Sequence, residues 1–535
     1  MRIAKTLLFV VFACVLFPQP MVSGDERDSS MLEKMGVTRG VCVLLGDSTG
    51  RLAVELAHMS DLLIYVQSPQ DQDVQTVREA ADAANLYGTR IFVDKGPKTK
   101  LYLADNLADA VVALGGAKDI SKSEAMRVLR PQGKALFGRD VLVKPSPPGV
   151  DDWSHPYHGP DNNPQSNDRI ARGPHQTRFL AEPRYAPLPQ VAVASAGRVF
   201  KAFGHVAFKT REEPLLNKLV AFNGYNGTIL WQRDLAEGVM IHRNTMIATP
   251  TRLYVGDDKS CKVIDAETGR LIDEIIPPVK VAGGAFWKWM AIENDTLYAL
   301  TGEQEQRDPT MRWRREKHGW PWNPISKGFN QPDGIKDSRK AYLAHPWGFG
   351  RNVLAIDLKT RRVLWNYREN EPVDGRAMCM KNGRIHIFRF GSYLTGLKAK
   401  TGDVVWVSHQ NSRRVLCFNR MDRSVLKRNM ANPRNQFLVD WTKLGVRDKP
   451  LWSHDCKESV AVATCGNAVV IAEASKVIAL SIDDGRLLWS RSLPVSPIEW
   501  GLAIDKHGQA VIVLKDGRIL CFGRSIKNLE SEISD

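Results

Sequence analysis

A hairpin-like stretch that recurs along the chain constrains its fold more than any other feature. Leu219–Leu235, LVAFNGYNGTILWQRDL, reads as two short strands around a tight turn at Asn226-Gly227. An Asn-Gly pair between β-rich apolar runs tolerates the positive φ that a short hairpin needs. Related stretches are KVIDAETGRLIDEI from Lys262, VLAIDLKTRRVLWNYRE from Val353, LTGLKAKTGDVVWVSHQ from Leu394 and VIALSIDDGRLLWSRSL from Val477. Their turns fall at Gly227, Gly269, Arg361, Gly402 and Gly485, with gaps of 42, 92, 41 and 83 residues. One unit is therefore about 42 residues, with extra material in two gaps. Short strands repeating every ~40–45 residues predict a β-propeller.

Six blades are visible: Val191–Leu235, Thr245–Ile276, Trp287–Arg368, Ala377–His409, Val460–Leu493 and a partial one at Trp500–Phe522. The third carries an insertion at 303–350, rich in Trp, Pro and Arg. The basic interval Asn411–Ser459 is read as the place of a degenerate blade. Six to eight blades are thus expected, with seven the best count. The last blade stops after its third strand, and RFLAEP, Arg178–Pro183, is the segment expected to pair that edge.

Ahead of the repeats, 31–145 alternates strand and helix patterns. GVCVLLGDSTGRLAVELA from Gly40 reads as strand, Gly-containing loop and helix; LLIYVQSP from Leu62 and RIFVDKG from Arg90 are further strands; LYLADNLADAVVAL holds a fourth and GKALF a fifth. Ser121 and Glu124 form a capping-box pattern before the last helix. Such alternation predicts a doubly wound, Rossmann-like α/β domain. The chain is thus expected to be multidomain: 31–145, a linker and His-rich entry segment at 146–190, repeats over 191–523, and a tail at 524–535.

Residues 1–24 read as a secretory signal. Arg2 and Lys5 precede the apolar run Leu7–Phe17, and Val22-Ser23-Gly24 offers small residues before a cut at Asp25. That run is too short for a membrane span, and no later stretch reaches the necessary length. The mature chain is therefore expected to be exported, to the periplasm or beyond. Of eight cysteines seven remain without Cys14, an odd number. Cys261, Cys379, Cys465 and Cys521 sit in apolar strand-like runs and read as small buried hydrophobes. With no CxxC pair, a structural zinc site is not expected. The net charge of +15 bears on attraction to polyanions or membrane surfaces, not on fold. No run of like charge or basic–aromatic alternation suggests specific nucleic-acid readout.

Two resemblances rest on these motifs. VLLGDSTGRLA and RVLRPQGKALF resemble the first and a late motif of class I S-adenosylmethionine-dependent methyltransferases. That resemblance implies a cofactor loop with Gly46, Asp47 and Gly50. It also puts Gln67 where the family has an acidic residue for the ribose hydroxyls, and the last two strands of that fold are expected to be missing. The repeats resemble those of pyrroloquinoline-quinone (PQQ) enzymes and of outer-membrane assembly lipoproteins of the same fold, through the apolar third strand, the turn and a following Trp. That Trp is Trp231, Trp365, Trp406 and Trp489; near its place the second unit has Asp273. Such a repeated Trp is expected to fill the gap between neighbouring twisted sheets. As a quinoprotein, the chain would use PQQ, a Ca2+ ion and a catalytic Asp. It has neither an adjacent Cys pair nor a CxxCH motif.

Candidate site residues follow from composition. DDWSHPYHGPDNNPQSND, Asp151–Asp168, has almost no aliphatics and carries His155, His158 and Asp161. Such a segment latches a surface or contacts a ligand. The two His are three apart, but Pro156 separates them and no third ligand follows, so no metal site is assigned. His242, Arg243, Asn244, Lys288 and Arg376 fall on inner-strand segments, and His205 follows the second strand of the first blade. Cations converging on one mouth would suit an anionic ligand, either a small molecule or a polymer. The competing expectation is that acids of neighbouring blades pair with them. The leading functional expectation is a binding or scaffold module joined to a degenerate methyltransferase-like domain, with another protein on one face as an alternative partner. A PQQ oxidoreductase and a methyltransferase are the rival readings.

Overall fold

The computed structural model describes residues 31–115, 120–171, 177–183, 185–207, 209–235, 244–302, 313–314, 348–388, 394–408, 414–417, 426–428, 437–439, 452–456, 459–465, 467–505 and 508–523. The signal-like segment 1–24, most of the insertion 303–350 and the tail 524–535 lie outside them. Two compact units divide the chain. Unit 1 holds 1–150, 168–184 and 222–230; unit 2 holds 151–167, 185–221 and 231–535. The entry segment is therefore split at Asp168, and the expected linker 146–190 is no single element.

Unit 1 is an α/β sheet of six strands. In chain order its elements are β1 (Arg39–Leu45), α1 (Arg51–Met59), β2 (Asp61–Ser68), α2 (Asp71–Ala83), β3 (Ile91–Lys95), β4 (Ala108–Ala113), α3 (Lys122–Val128), β5 (Leu129–Phe137) and β6 (Asp140–Val143). The spatial order is β3-β2-β1-β4-β5-β6. The first five strands run parallel and β6 antiparallel to β5. Strand order reverses between β1 and β4, the point where open α/β sheets leave a crevice. Val43 and Leu45 pack on one face, Cys42 and Leu44 on the other, so a continuous apolar strand serves two cores. Two expectations need correction. A sixth strand follows the fifth, because Gly138 at positive φ turns the chain back into a hairpin. The capping box is half made: Ser121 Oγ accepts from Glu124 N at 3.1 Å, while the Glu124 carboxylate serves Leu101 N and Arg127.

Unit 2 is a series of antiparallel sheets. Sheet 1 comprises β7 (Leu188–Ser195), β8 (Arg198–Ala207), β9 (Lys218–Asn223) and β10 (Ile229–Asp234). Sheet 2 has β11 (Met246–Ala248), β12 (Arg252–Gly256), β13 (Cys261–Asp265) and β14 (Leu271–Ile275). Sheet 3 has β15 (Phe286–Glu293), β16 (Thr296–Gly302), β18 (Phe349–Asp357) and β19 (Val363–Asp374), while β17 (Trp313–Arg314) lies beside β8. Sheet 4 has β20 (Met378–Lys381), β21 (Arg384–Phe388), β22 (Leu394–Lys398) and β23 (Val404–Ser408). Then come β24 (Arg414–Cys417), β25 (Leu426–Arg428), β26 (Phe437–Val439) and β27 (Trp452–Asp455), paired as β24–β27 and β25–β26. Sheet 5 has β28 (Ser459–Thr464), β29 (Ala468–Glu473), β30 (Lys476–Ser481) and β31 (Leu487–Ser492). Sheet 6 has β32 (Pro497–Ile504), β33 (Ala510–Leu514) and β34 (Ile519–Phe522). RFLAEP is not the partner of that last edge: 178–183 carry no strand and group with unit 1, where Phe179 and Ala181 pack against Gly227.

The repeated turn is longer than the two-residue form expected. Gly227 N donates to Asn223 O at 2.9 Å, an i to i+4 bond, and the same bond recurs at Gly269, Arg361, Gly402 and Gly485. Only the fifth residue has positive φ, 76° at Gly227. Asn226 instead uses its side chain, accepting from Thr228 N and donating to Leu107 O and to Asp109 within unit 1.

The sheets stack face to face. Alternate side chains of sheet 3 serve opposite neighbours: Tyr298, Leu300 and Val353 pack with sheet 4, and Leu297, Ala299 and Leu354 with sheet 2. At the seams, one pattern repeats. Trp231 Nε1 donates to Ala266 O at 3.1 Å, and its ring stands 2.6 Å from where a Cβ on Gly269 would be. Trp365 does the same with Ala399 O, at 2.8 Å, and Gly402. Trp452 on β27 does so with Ile482 O, at 2.8 Å, and Gly485. Between sheets 2 and 3 the Trp is replaced by Asp273 and the Gly by Arg361, and Arg361 Nε donates to Asp273 at 2.8 Å. The side chain of Trp406 lies outside the described residues. Trp489 meets Phe522, with ring centroids 6.5 Å apart.

Candidate functional site

The entry segment 151–167 lies along the first strands of the sheets in unit 2. Trp153 pairs its backbone with Ala194 of β7, at 3.0 and 2.7 Å. Ala248 N of β11 donates to Ser154 O at 2.9 Å, and Met380 N of β20 to Pro160 O at 2.7 Å. The Asn162 amide donates to Met378 O. Backbone pairing of this kind compensates for the missing aliphatics: the loop is held by hydrogen bonds to three sheets rather than by a core of its own.

Its polar side chains are used both inside the loop and on the strands beside it. His158 Nε2 meets Asp151 at 2.7 Å, and its ring stands edge-on to Trp153. Burial raises the Asp151 carboxyl, but hydrogen bonds from Asn167 N and His158 outweigh it and hold the group below its usual value. Asp161 takes Lys381 at 3.0 Å. His155 differs. It is 5% exposed, its Nδ1 meets Ser154 Oγ at 2.8 Å, and its Nε2 is buried without a partner. Burial pushes its pKa down to about 4, Asp161 opposing and His158 adding to the shift. Cys379, beside Asp161, is raised to about 11, mainly by burial.

The inner-strand cations are met in different ways. Lys288 is buried at a bulge of β15, where the register slips between Trp287 and Trp289. The slip sends these two indoles to opposite faces, Trp287 towards sheet 2 and Trp289 towards sheet 4, and leaves the lysine between them. Lys288 Nζ stands 3.8 Å over the Phe286 ring. Gly375 abuts the Lys288 carbonyl and accepts from Asn244 Nδ2 at 3.1 Å. Lys288, Asn244 and the turn bearing Arg376 therefore share one end of the first strands. Arg376 itself forks onto Asp374, with bonds of 2.9 and 2.6 Å. The acid is two residues away rather than on a neighbouring blade. His242, Arg243 and the side chain of His205 lie outside the described residues. The sequence places Asn244 with His242 and Arg243 on the polar segment IHRN; Gly375 was missed, its one signal being adjacency to Arg376.

The entry loop lies against the first strands, and Arg376 and Lys381 are each paired within the chain. Among the described residues, no three His, Cys, Asp or Glu are grouped to hold a metal.

In unit 1, Gly46 and Gly50 have φ of 84° and 74°. A side chain at Gly50 would run into Ala80 and Val77 of α2. Asp47 is buried and caps its own loop: Oδ1 accepts from Gly50 N at 3.0 Å and Thr49 Oγ1 at 3.2 Å, and Oδ2 from Ala53 N at 2.9 Å. Gln67, buried at the end of β2, makes four hydrogen bonds. Oε1 accepts from Tyr65 OH at 3.1 Å and Tyr102 N at 3.0 Å; Nε2 donates to Pro97 O at 2.9 Å and Lys100 O at 2.8 Å. No helix among the described residues is long and apolar enough to cross a membrane.

No protein-family model matches the chain, and no curated protein matches it. Among solved structures, the chain is similar to BamB from Moraxella catarrhalis, at 11% identity over 62% of this chain and 80% of that one, with a TM-score of 0.30. A europium-containing methanol dehydrogenase gives 10% identity over 60% and 72%, with a TM-score of 0.28. An S-adenosyl-L-methionine-dependent methyltransferase from Methanococcus maripaludis gives 25% identity over 21% of this chain, with a TM-score of 0.20. The chain spans about half, 52%, of that methyltransferase. These likenesses concern fold elements and assign no activity.

Proposed function

We propose that unit 2 is a seven-bladed propeller serving as a binding or scaffold module of an exported protein. The blades are the six sheets plus a degenerate one built on β24 and β27, because Trp452 docks on the Gly485 turn as Trp231 and Trp365 dock on theirs. The observation that carries the functional reading is the entry loop hydrogen-bonded to the first strands of sheets 1, 2 and 4. In a propeller those strands line the axis, where a small-molecule cofactor would need room. A loop bound to three of them favours recognition at a mouth or face over chemistry in the channel. The end carrying Lys288, Asn244 and Arg376 is the candidate mouth, for an anionic small molecule or polymer or for a protein partner.

Titrating the purified protein with PQQ and Ca2+ tests this. A ligand at a hundred times its Kd raises stability by about 2.7 kcal/mol. The expected outcome is an unchanged melting temperature and quinone spectrum; a saturable change in both would move the protein to the oxidoreductase reading. Export is checked separately by sequencing the mature N-terminus from fractionated cells, expected at Asp25.

A further inference from the structure

The crevice at the reversal of strand order in unit 1 is where the methyltransferase resemblance would put S-adenosylmethionine. We infer that this chain closes the β1–β2 side of that crevice with its own backbone and side chains, and that Gln67 is the residue pinning it shut.

The position at the end of β2 matters because a carboxylate there receives two hydroxyls of a ribose. Here the side chain is an amide, and an amide also donates. Its two N–H groups point at Pro97 O and Lys100 O, 2.9 and 2.8 Å away. The space next to Gln67 that a ribose hydroxyl would need therefore holds peptide carbonyls. The acceptor atom is also spent, on Tyr65 OH and Tyr102 N. With two donors and a doubly used oxygen, Gln67 has no capacity left. Gly96 confirms how close the chain comes: a Cβ there would stand 2.6 Å from the Gln67 amide.

The same segment is tied down further along. The connection from β3 to β4, 96–107, contains no helix. Leu101 is buried in the core beside Val43, Tyr65 and Val111. Its N–H donates to Glu124 at 2.7 Å, and Arg127 holds Leu101 O and Leu103 O, each at 2.9 Å. Beside it, the loop after β1 is satisfied by Asp47. Its carboxylate takes Gly50 N and Ala53 N, first-turn donors of α1 that an anionic ligand group would otherwise meet. Groups of the chain itself thus occupy the ends of β1 and β2 that border the crevice. This reading is independent of what unit 2 binds.

The full-length protein serves for the test. Calorimetry of the wild type with S-adenosylmethionine is expected to show no 1:1 binding; a Kd below about 100 µM overturns the inference. Trypsin can cut at Lys98 and Lys100. In Gln67→Ala the segment loses its pin, and cleavage there is expected to quicken roughly tenfold as local opening becomes easier. Gln67→Glu keeps the acceptor but turns a carboxylate towards two carbonyls, and is expected to behave alike with its melting transition retained. Cleavage at the wild-type rate in a folded variant means that Gln67 pins nothing.

Discussion

Two seams of unit 2 solve one packing problem with different chemistry. Between sheets 1 and 2, an indole lies on a glycine turn and donates to the carbonyl three residues before it. Between sheets 2 and 3, Asp273 and Arg361 occupy the same two places and form an ion pair. The exchange is concerted. An arginine at the turn would collide with a tryptophan, and a glycine would leave Asp273 without a partner. Arg361 also adopts φ of 62°, which glycine takes without cost and a branched chain does not. The contrast teaches that the repeat conserves a joint rather than a residue. The two joints differ in strength: one buries a large apolar ring, the other holds two half-exposed charges.

The largest effect should come from removing the ring. Trp231→Ala leaves a cavity between sheets 1 and 2 and is expected to cost about 3–5 kcal/mol, read from denaturant unfolding. Next is His155, which a pH titration isolates. Its folded pKa, about 4, lies below the 6.5 of the free side chain. Between those values the unfolded chain binds a proton that the folded one does not. Stability therefore falls as pH drops from 6.5 to 4, by on the order of 3 kcal/mol for a fully buried ring. His155→Gln should flatten that part of the stability–pH curve; an unchanged slope would place its cause elsewhere. The smallest effect belongs to the charged seam. Asp273→Ala is expected to cost less than about 1 kcal/mol, and the loss should shrink further in high salt. Pairing Asp273→Trp with Arg361→Gly sharpens the comparison: a non-additive gain over the two single changes is expected if the joints are interchangeable.

Much of unit 2 was legible because its information is local and repeated. The Trp residues and turn glycines sit at fixed offsets, so spacing exposed both the sheets and the gap at Asp273. The turn type was misread because Asn226-Gly227 invites a two-residue hairpin, whereas the Gly227 N–H reaches back to Asn223 O. Trp452 escaped notice for the opposite reason: the strands around it have lost the periodic apolar pattern, and only its contact with Gly485 identifies it. For the candidate site, composition singled out the entry segment, but no pattern says which strands a loop will pair with.

The sequence by itself determined two architectures, an alternating α/β unit and a strand repeat of about 42 residues, since periodicity and turn chemistry act over a few residues. It also marked the polar segments that cannot form a core. Tertiary structure alone decided what those polar groups do. Gln67 stands where the resemblance puts a ribose-binding acid and meets Pro97 O and Lys100 O; Arg376, weighed as an anion ligand or the partner of an acid, holds Asp374; His155, a ligand-contact candidate, is buried with one nitrogen unpartnered. The physical reason is the same in each case. A polar side chain takes whichever partner the fold brings within about 3 Å, whether 30 residues away, as for Gln67, or one or two away, as for His155 and Arg376.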